Sequence, residues 1–450
     1  MQRPVPSEVA DRILARCFGE PIAYRELREL CDHVGGRTSG AESGAQAEAW
    51  ALRAFARCGI EQTLADPLTV PVWKRGSLTV EVQGVGAAPI AALAHGFAPE
   101  ACDIAAPILD VGYGLPADYA RLGDLARGAM ALCSEAAPEG QRAPHRTEKL
   151  AWAVDHGVAG LMIMGSAPGC LPRTGVCHRS GSPIPSVGIT REDGERLRRM
   201  LEDGLRPTGR IAMTNTITEG TAHNILADIP GCDEPSEIVL AGGHLDSWDV
   251  SQGATDNGLG CAIVLQAAHA LCGVGRRPRR TIRFALWAAE ETGLRGSRAY
   301  VAARRDELDS IVGVMNFDMT GDPYGYWTPG RPEPPEMLHG LARQLAPLGM
   351  REEFGHTAGL HSDHQPFMLA GVPVVCLSAR GTEGGGGAYY HSVGDTFEKV
   401  SQPALCRAAA VAAHTLWALA DCEQPPYRRM SDAEVTSMIE AAGLKDAIID

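Results

Sequence analysis

Apolar residues in the first sixty positions recur at the spacing of α-helices. Val9, Ile13 and Cys17, for example, return every four residues and would share one face of a helix. The same spacing predicts helices at 6–18, 24–33 and 44–57. A loop rich in glycine and serine, residues 35–44, joins the last two helices. It is either a plain connector or a segment beside the active-site cleft.

Between residues 68 and 218 the pattern changes to short apolar runs separated by loops rich in glycine and proline. Such runs predict strands at 68–73, 77–82, 90–94, 160–164, 183–189 and 211–218. Helical spacing interrupts them at 147–156 and 192–203. Because this stretch carries no cluster of candidate catalytic residues, we predict that residues 76–210 form an inserted β-rich domain over or beside the cleft.

From residue 221 onward, strand and helix patterns alternate. Strands are predicted at 224–229, 237–241, 280–288, 311–317 and 372–377, and helices at 259–271, 298–304, 335–346, 403–421 and 431–442. This alternation is typical of an α/β fold with a mostly parallel or mixed sheet and helices on both faces. The predicted organisation is an N-terminal helical part of the catalytic domain at 1–75, the insert at 76–210, the main catalytic part at 211–425 and a C-terminal tail at 426–450.

Charge and composition exclude some classes of partner. The chain has 450 residues, and its formal net charge of −14 argues against nucleic acid or an anionic membrane as the main partner. Charged residues interrupt the first twenty positions, and no stretch reaches the ~18 uncharged apolar residues that span a bilayer. We therefore expect no leader peptide and a cytoplasmic location. The 13 scattered cysteines are expected to be mostly reduced.

Two stretches place histidine and carboxylate side chains directly after predicted buried strands. They are G-G-H-L-D-S-W-D-V-S-Q-G-A-T-D-N-G at 242–258 and A-L-W-A-A-E-E-T-G at 285–293. Their candidate chemical residues are His244, Asp246, Asp256, Glu290 and Glu291. Ligands of open α/β sheets bind at the carboxyl ends of the strands, so we expect these side chains to converge there. A histidine among carboxylates indicates a metal site.

The adjacent pair Glu290 and Glu291 strengthens the prediction of a metal site. Two neighbouring carboxylates at the end of a buried strand repel each other and are costly unless a positive charge lies close. The natural division of labour is one metal ligand and one general base that accepts a proton from metal-bound water. Asp246, two residues after His244, is placed to hold the other ring N–H of that histidine or a neighbouring group.

Asp318 ends the next predicted strand, and His391 follows the last predicted strand through a glycine-rich loop. With Asp256 as a bridge, His244 and Asp318 complete the ligands of one ion. Glu291 and His391 complete those of a second. Three protein ligands plus a water are the pattern of catalytic zinc, and two ions about 3.5–4 Å apart would hold a bridging hydroxide and polarise a carbonyl. Singly, each residue also fits a structural role, such as a helix N-cap for Asp256.

These motifs resemble a known family. H-L-D, A-T-D-N, W-A-A-E-E, N-F-D-M and Y-H-S-V-G-D-T are together similar to the metal motifs of the co-catalytic zinc exopeptidases of the aminopeptidase class. The segments V-G-G-R-T-S-G and V-P-V-W-K-R-G resemble the glutamate carboxypeptidase-like branch of that family. Residues 151–164 and 183–190 are similar to the protease-associated domain inserted in that branch, so the resemblance covers nearly the whole chain.

The resemblance implies what the site contains and does. It implies two Zn²⁺ per chain at the five candidate positions, Glu290 as the general base and Asp246 as a support for the ligands. It also implies a cis peptide bond between Asp256 and Asn257. Members of the family often dimerise, so a homodimer is expected, although no stretch locates its interface. The implied activity is that of an exopeptidase on dipeptides or short peptides.

Two departures from that branch bear on the function. Its members are typically secreted, whereas no leader is recognised here, and four glycines at 384–387 lie just before His391. The main alternative is therefore an intracellular zinc amidase or deacylase that acts on an N-acylated metabolite. Two further, less favoured alternatives are a metal-free binding scaffold, which the complete ligand set disfavours, and a cyclase with a single zinc, which metal analysis would reveal by one zinc per chain.

Other polar residues near the predicted cleft are candidates for contact with the peptide or small amide substrate. Ser362 and His364 lie in a polar cluster before a helix, where the alternative is a cap or loop contact. Tyr390 is a candidate donor to a tetrahedral intermediate, and its alternative is an ordinary packed aromatic. The sequence leaves open the side chains accepted, the preference for free amino or carboxyl termini, and the choice of zinc over manganese or cobalt.

Overall fold

The computed structural model describes residues 4–83, 89–380 and 386–447, so the glycine run at 384–387 lies partly outside the described residues. Within these ranges the strands are β1 (Thr63–Gln83), β2 (Ala92–Ala94), β3 (Ala101–Asp110), β4 (Met130–Ser134), β5 (Gly160–Met164), β6 (Ser186–Ile189), β7 (Thr208–Ile229), β8 (Glu234–His244), β9 (Arg280–Trp287), β10 (Ile311–Asn316), β11 (Asp322–Trp327), β12 (Phe354–Gly355) and β13 (Cys376–Arg380). The helices are α1 (Ser7–Gly19), α2 (Ile22–His33), α3 (Glu42–Cys58), α4 (Pro116–Leu122), α5 (Arg146–Asp155), α6 (Arg191–Glu202), α7 (Leu259–Cys272), α8 (Arg295–Ala303), α9 (Glu336–Gln344), α10 (His364–Leu369), α11 (Gly386–Tyr389), α12 (Gln402–Asp421) and α13 (Asp432–Ala441).

Ten of these strands form one mixed sheet, in the order β10-β8-β9-β7-β3-β4-β5-β6-β2, with β1 paired to β7. The strands β10, β8 and β9 run parallel, and so do β3, β4, β5 and β6. Strand β7 joins the two parallel blocks because it pairs antiparallel with both β9 and β3. A small second sheet contains β12, β11 and β13. The structure thus confirms the α/β class with a mixed sheet.

A long antiparallel ribbon, β1 with β7, runs through segments predicted as separate strands. The pairing covers almost the full length of both strands, with a register shift between Arg75 and Leu78. At that shift Gly76 has no room for a side chain, since a Cβ would lie 2.1 Å from a backbone oxygen of β7. The prediction of separate strands at 68–73 and 77–82, and at 211–218 and 224–229, is therefore wrong, because each pair belongs to one continuous strand. Gly76 marks a bulge in β1 and not a turn. The predicted domain boundaries, 76 and 210, lie inside this ribbon.

The sequence pattern misses or misplaces several other strands. Strands β3 and β4 lie in a stretch whose many alanines and prolines give little apolar contrast, and β11 contains a proline and a glycine, which are depleted in strands. The strand predicted at 372–377 is also misplaced. Strand β13 begins at Cys376, and Val374 makes a single bridge to Val314 on β10.

Helices cover both faces of the sheet around β10, β8 and β9. Helices α1, α2, α3, α7 and α12 share one core, and α8, α10 and α13 share the core on the opposite face. Strand β8 alternates between them, with Val239 and Ala241 in the first core and Leu240 in the second. Burying each valine or leucine contributes about 1.5–3 kcal/mol, so both faces hold the strand ends in place.

Helix α12 is 20 residues long and apolar enough to cross a membrane by length and composition alone. It is almost entirely buried inside the protein, where it packs beside α7 and α1. Its apolar surface is therefore covered by the protein itself, as expected of a core helix.

Candidate metal centre

Three neighbouring parallel strands carry candidate ligands to one edge of the sheet. His244 is the last residue of β8, and it pairs with Trp287 at the end of β9. Glu290 and Glu291 follow β9 within four residues, and Asp318 follows β10 by two. Because parallel neighbours end at the same edge, side chains just past their carboxyl ends share one space.

The structure brings all five predicted ligands together in two groups that share Asp256. In the first group, His244 Nε2 lies 3.2 Å from Asp256 Oδ1 and 3.5 Å from Asp318 Oδ1. In the second, His391 Nε2 lies 3.1 Å from Asp256 Oδ2 and 3.0 Å from Glu291 Oε2. The two carboxylate oxygens of Asp256 therefore face different groups, which is the arrangement that a bridging ligand requires.

Both histidines present Nε2 to the centre because Nδ1 is engaged elsewhere. His244 Nδ1 lies 3.0 Å from the backbone oxygen of Asp246, and His391 Nδ1 lies 3.3 Å from that of Thr174. Donation from Nδ1–H to a carbonyl leaves Nε2 unprotonated in the neutral ring, which is the form that binds a metal ion. Thr174 lies in the segment predicted as inserted, so that segment reaches the centre.

The carboxylate of Asp246 supports the two glutamates rather than the ring of His244. It accepts the backbone N–H of Glu290 (3.0 Å) and that of Glu291 (3.2 Å), and it stays 3.7 Å from His244 Nδ1. The sequence left two partners open for Asp246, the ring N–H of His244 or a neighbouring group. The structure shows the second, namely the backbone N–H groups of Glu290 and Glu291. These two bonds orient the turn that follows β9.

The Asp256 loop is held by two side chains that the sequence pattern did not single out. Asp395 accepts the N–H (2.8 Å) and the hydroxyl (2.7 Å) of Thr255 and the N–H of Asp256 (3.0 Å). Asn257 Nδ2 donates to the carbonyl of Phe317 (2.7 Å), which ties the loop to the end of β10. The peptide bond between Asp256 and Asn257 is cis, as the resemblance implies. Asp395 is the aspartate of the motif Y-H-S-V-G-D-T, the one sequence signal that points to it.

The centre holds several carboxyl groups in a buried place, where their negative charge is costly unless a positive charge lies close. Burial raises the pKa of Glu290 well above its ordinary value, and it also raises the pKa of Glu291. Burial alone would lower the pKa of His244, but Glu290 and the surrounding aspartates raise it well above the value usual for histidine. Glu291 Oε1 is buried and has no hydrogen-bond partner among the described residues. A site that favours a cationic ring and leaves a carboxylate oxygen unpaired fits divalent cations.

A cavity of about 350 Å³ opens onto this centre, and its walls include the three residues predicted to contact substrate, Ser362, His364 and Tyr390. Ser362 Oγ donates to Asp318 Oδ2 (2.6 Å) and accepts from Asn316 Nδ2 (2.7 Å). Ser362 therefore holds a candidate ligand in place while it lines the cavity.

The rings of His364 and Tyr390 are packed against neighbours and still face the cavity. The imidazole of His364 lies edge-on to Trp327, with 4.9 Å between ring centres. Tyr390 stacks on His391 with 3.6 Å between ring centres. Tyr390 is therefore a packed aromatic residue, as the alternative prediction had it. It also forms part of the cavity wall, where a ligand could contact it.

The loop at 35–44 fastens both ligand-bearing stretches. The side chain of Arg37 is completely buried and donates to four backbone carbonyls, those of Gly35, Leu245, Gln252 and Gly253. Ser39 Oγ accepts the N–H of Ala289, directly before the two glutamates. The loop was predicted to be either a plain connector or a segment beside the cleft, and these contacts place it beside the cleft.

We expect Arg37→Met to lower the free energy of unfolding by at least about 3 kcal/mol, because buried carbonyls would lose their charged donor. Urea unfolding followed by tryptophan fluorescence measures the change. Arg53→Met is the matched control, since Arg53 is exposed on α3, and it should stay within ~0.5 kcal/mol of the parent. An equal loss in both variants would contradict a specific role for Arg37.

Comparison with known proteins finds relatives along nearly the whole chain. Residues 224–416 match the model of peptidase family M28. The chain is 30% identical over 413 residues to carboxypeptidase Q of Homo sapiens, which covers 89% of this chain and 86% of that protein. The crystal structure of a peptidase M28 precursor from Shewanella amazonensis has a TM-score of 0.82 at 25% identity, covering 94% of this chain and 98% of that one. A zinc aminopeptidase from Bacillus subtilis shares the fold, with a TM-score of 0.66 at 23% identity, covering 91% and 97%.

All five candidate ligands lie within the residues that match the family model. The similarity to the human protein extends over 89% of the chain, so it is not confined to the metal centre. The chain therefore belongs to peptidase family M28, a family of metallopeptidases.

Proposed function

We propose that this chain is an exopeptidase that hydrolyses dipeptides or short peptides with two zinc ions per chain. The observation that carries the proposal is the sharing of Asp256, whose two oxygens lie 3.2 and 3.1 Å from the Nε2 atoms of two different histidines. Zinc is favoured because imidazole nitrogens and carboxylate oxygens are its usual catalytic ligands. The Bacillus subtilis protein of the same fold is a zinc aminopeptidase, and the human relative is a carboxypeptidase.

Five residues are proposed to bind the ions, and two further aspartates hold these ligands in position. The proposed ligands of one ion are His244, Asp256 and Asp318, and those of the other are Asp256, Glu291 and His391. Zinc bound by these residues would supply a Lewis acid that lowers the pKa of a water molecule and polarises the scissile carbonyl. Asp395 fixes the backbone of the bridging aspartate, and Asp246 fixes that of the two glutamates.

Glu290 is the proposed general base. Its Oε2 lies 4.0 Å from His244 Nε2, and Glu290 belongs to neither ligand group although it lines the cavity. A carboxylate in this place takes a proton from the attacking water and afterwards delivers it to the departing amine. The raised pKa of Glu290, caused first by burial, suits a group that must both accept and release a proton.

We also propose that residues 76–210 act as a protease-associated-like domain that shapes access to the cleft. Two contacts support this role. The N–H of Thr174 donates to the backbone oxygen of His391 (2.8 Å), and the ring of His145 stacks on that of His361 with 4.7 Å between centres. The inserted segment therefore forms part of the wall around the proposed active site.

A zinc-loaded activity screen over a dipeptide library and a matched set of N-acyl amino acids tests the function. We expect hydrolysis of free dipeptides and two zinc ions per chain by metal analysis. Hydrolysis of N-acyl amino acids without dipeptide cleavage would replace the proposal by an amidase. A single bound ion, or none, would contradict the dinuclear centre.

A further inference from the structure

Arg75 joins three parts of the chain at the edge of the metal centre. It stands on β1 directly before the bulge of the ribbon, in the segment V-P-V-W-K-R-G. Its Nε and Nη2 lie 2.9 and 3.0 Å from the two carboxylate oxygens of Asp249, which is a bidentate pair. The same guanidinium donates to the carbonyl of Ala94 on β2 (2.5 Å) and to Thr174 Oγ1 (3.1 Å). One side chain thus connects the ribbon, the loop after β8 and the inserted segment.

Trp248, next to Asp249, fastens the loop at 245–255 to the inserted segment. Its indole is buried and packs in the core of that segment. The ring fits there because Gly96 has no side chain, since a Cβ on Gly96 would lie 2.1 Å from it. The indole also stands edge-on to the ring of His391, with 6.0 Å between ring centres. The inserted segment therefore holds this loop on the side that faces His391.

Thr174 connects Arg75 to the ring of His391. Thr174 is completely buried, its N–H donates to the backbone oxygen of His391 (2.8 Å), and its own carbonyl lies 3.3 Å from His391 Nδ1. Its hydroxyl donates to the carbonyl of Ala94 (2.8 Å) and accepts from Arg75 Nη2. The backbone of Thr174 thus faces His391, while Arg75 and Ala94 hold its side chain.

The position of Thr174 matters because His391 Nδ1 has two neighbours at the same distance. The carbonyl of Thr174 and Nη2 of Arg146 each lie 3.3 Å from it. The carbonyl accepts a proton from Nδ1 and so leaves Nε2 free for a metal ion. A guanidinium only donates, so a bond from Arg146 places the proton of the neutral ring on Nε2, and that form does not bind the ion. A small displacement of Thr174 would therefore favour the wrong form of the ring.

We propose that Arg75 is a positioning residue for His391, which holds Thr174 in place and thereby sets the affinity for the zinc ion assigned to Asp256, Glu291 and His391. This inference rests on the proposed function, because it assumes two separate ligand groups. An arginine suits the role, since its planar fork bonds a carboxylate twice and still has N–H groups for two further acceptors.

The ion assigned to His244, Asp256 and Asp318 should not depend on Arg75. His244 Nδ1 lies 3.0 Å from the backbone oxygen of Asp246, so the ring of His244 is oriented from within its own stretch of chain. Loss of Arg75 should therefore weaken one zinc site and leave the other unchanged. A general loss of stability would weaken both.

The test measures zinc affinity of the full chain in two backgrounds that each keep one ligand group. Asp318→Ala leaves the group around His391 complete, and His391→Ala leaves the group around His244 complete. Competition with a chromophoric chelator gives the Kd in each background. We expect Arg75→Met to raise the Kd by about 10–100-fold in the Asp318→Ala background. In the His391→Ala background the Kd should stay within about twofold.

Variants of Thr174 test whether the effect passes through its hydroxyl. Thr174→Val removes the group that Arg75 holds and should repeat the effect of Arg75→Met, whereas Thr174→Ser keeps the hydroxyl and should retain the parental Kd. Arg210→Met is the matched control. Arg210 stands on β7 of the same ribbon and makes a similar bidentate pair, with both bonds to Asp103 at 2.8 Å. Its loss should leave both zinc constants unchanged.

The possible outcomes separate this inference from the proposed function. Equal losses of affinity in both backgrounds would overturn the positioning role, and so would an unchanged Kd for the group around His391 in Arg75→Met. A parent that binds one ion contradicts the dinuclear centre. Weaker binding of that ion in Arg75→Met, with Arg210→Met unchanged, would still uphold the role of Arg75. A parent that binds no ion would contradict both.

Discussion

Replacing Glu290 by glutamine is expected to lower kcat by roughly 10²–10⁴-fold while both metal ions stay bound. Glutamine has almost the shape of glutamate, but its amide cannot take a proton from the attacking water. Glu290 lies in neither ligand group, and its bond to Asp246 is made by the backbone N–H. The substitution therefore removes the proton acceptor and leaves the ligands and the turn unchanged.

Steady-state kinetics on a cleaved dipeptide, with metal analysis of the same samples, measure this effect. Glu307→Gln is the matched control, since Glu307 is an exposed glutamate before β10 and should keep parental turnover. Near-parental turnover in Glu290→Gln would contradict the assignment of Glu290 as the general base. Loss of an ion from that variant would instead make Glu290 a ligand.

Removing Asp256 is the second change with a large expected effect. Asp256→Ala deletes the one side chain common to both ligand groups, so we expect loss of both ions and of at least ~10²-fold in activity. Asp318→Ala deletes a ligand from one group and leaves the group around His391 complete. This variant should therefore keep one ion per chain.

Metal analysis after dialysis and thermal unfolding with and without zinc separate these outcomes. A ligand that binds the folded state at 1,000 times its Kd stabilises it by about 4 kcal/mol, so a chelator should lower the parental thermal midpoint. Asp256→Ala should show almost no response to added zinc, and Asp318→Ala an intermediate one. Two ions retained by Asp256→Ala would rule out the shared ligand.

The candidate ligands could be found from the sequence because of where they stand. His244, Glu291 and Asp318 each stand at or shortly after the end of a strand whose last residues are mostly apolar, and the carboxyl ends of parallel strands meet at one edge. The amphipathic helices could be predicted from the regular spacing of their apolar residues. The helix predicted at 6–18, for example, is α1, Ser7–Gly19. Local pattern alone is enough for features of this kind.

The contacts that hold the centre together have no local pattern. Arg37 bonds to the Leu245 carbonyl across 208 residues of sequence, and Asp395 bonds to Thr255 across 140. Arg146 approaches His391 across 245 residues. In the sequence these side chains stand in glycine-rich or irregular stretches, and their partners are defined by the tertiary fold. The bulge at residue 76 is a similar case, because a glycine in a strand and a glycine in a turn look alike in the sequence.

The ribbon of β1 and β7 sets how far the inserted segment extends. Arg146 and Thr174 both lie in the chain between the two strands. Because each residue advances a strand by about 3.3 Å, the length of the ribbon sets the distance between its two ends. One residue added to β1 alone would slip its pairing with β7 and turn every following side chain to the opposite face. Insertions and deletions in the ribbon should therefore be tolerated in matched pairs, one on each strand, although many of its residues are exposed.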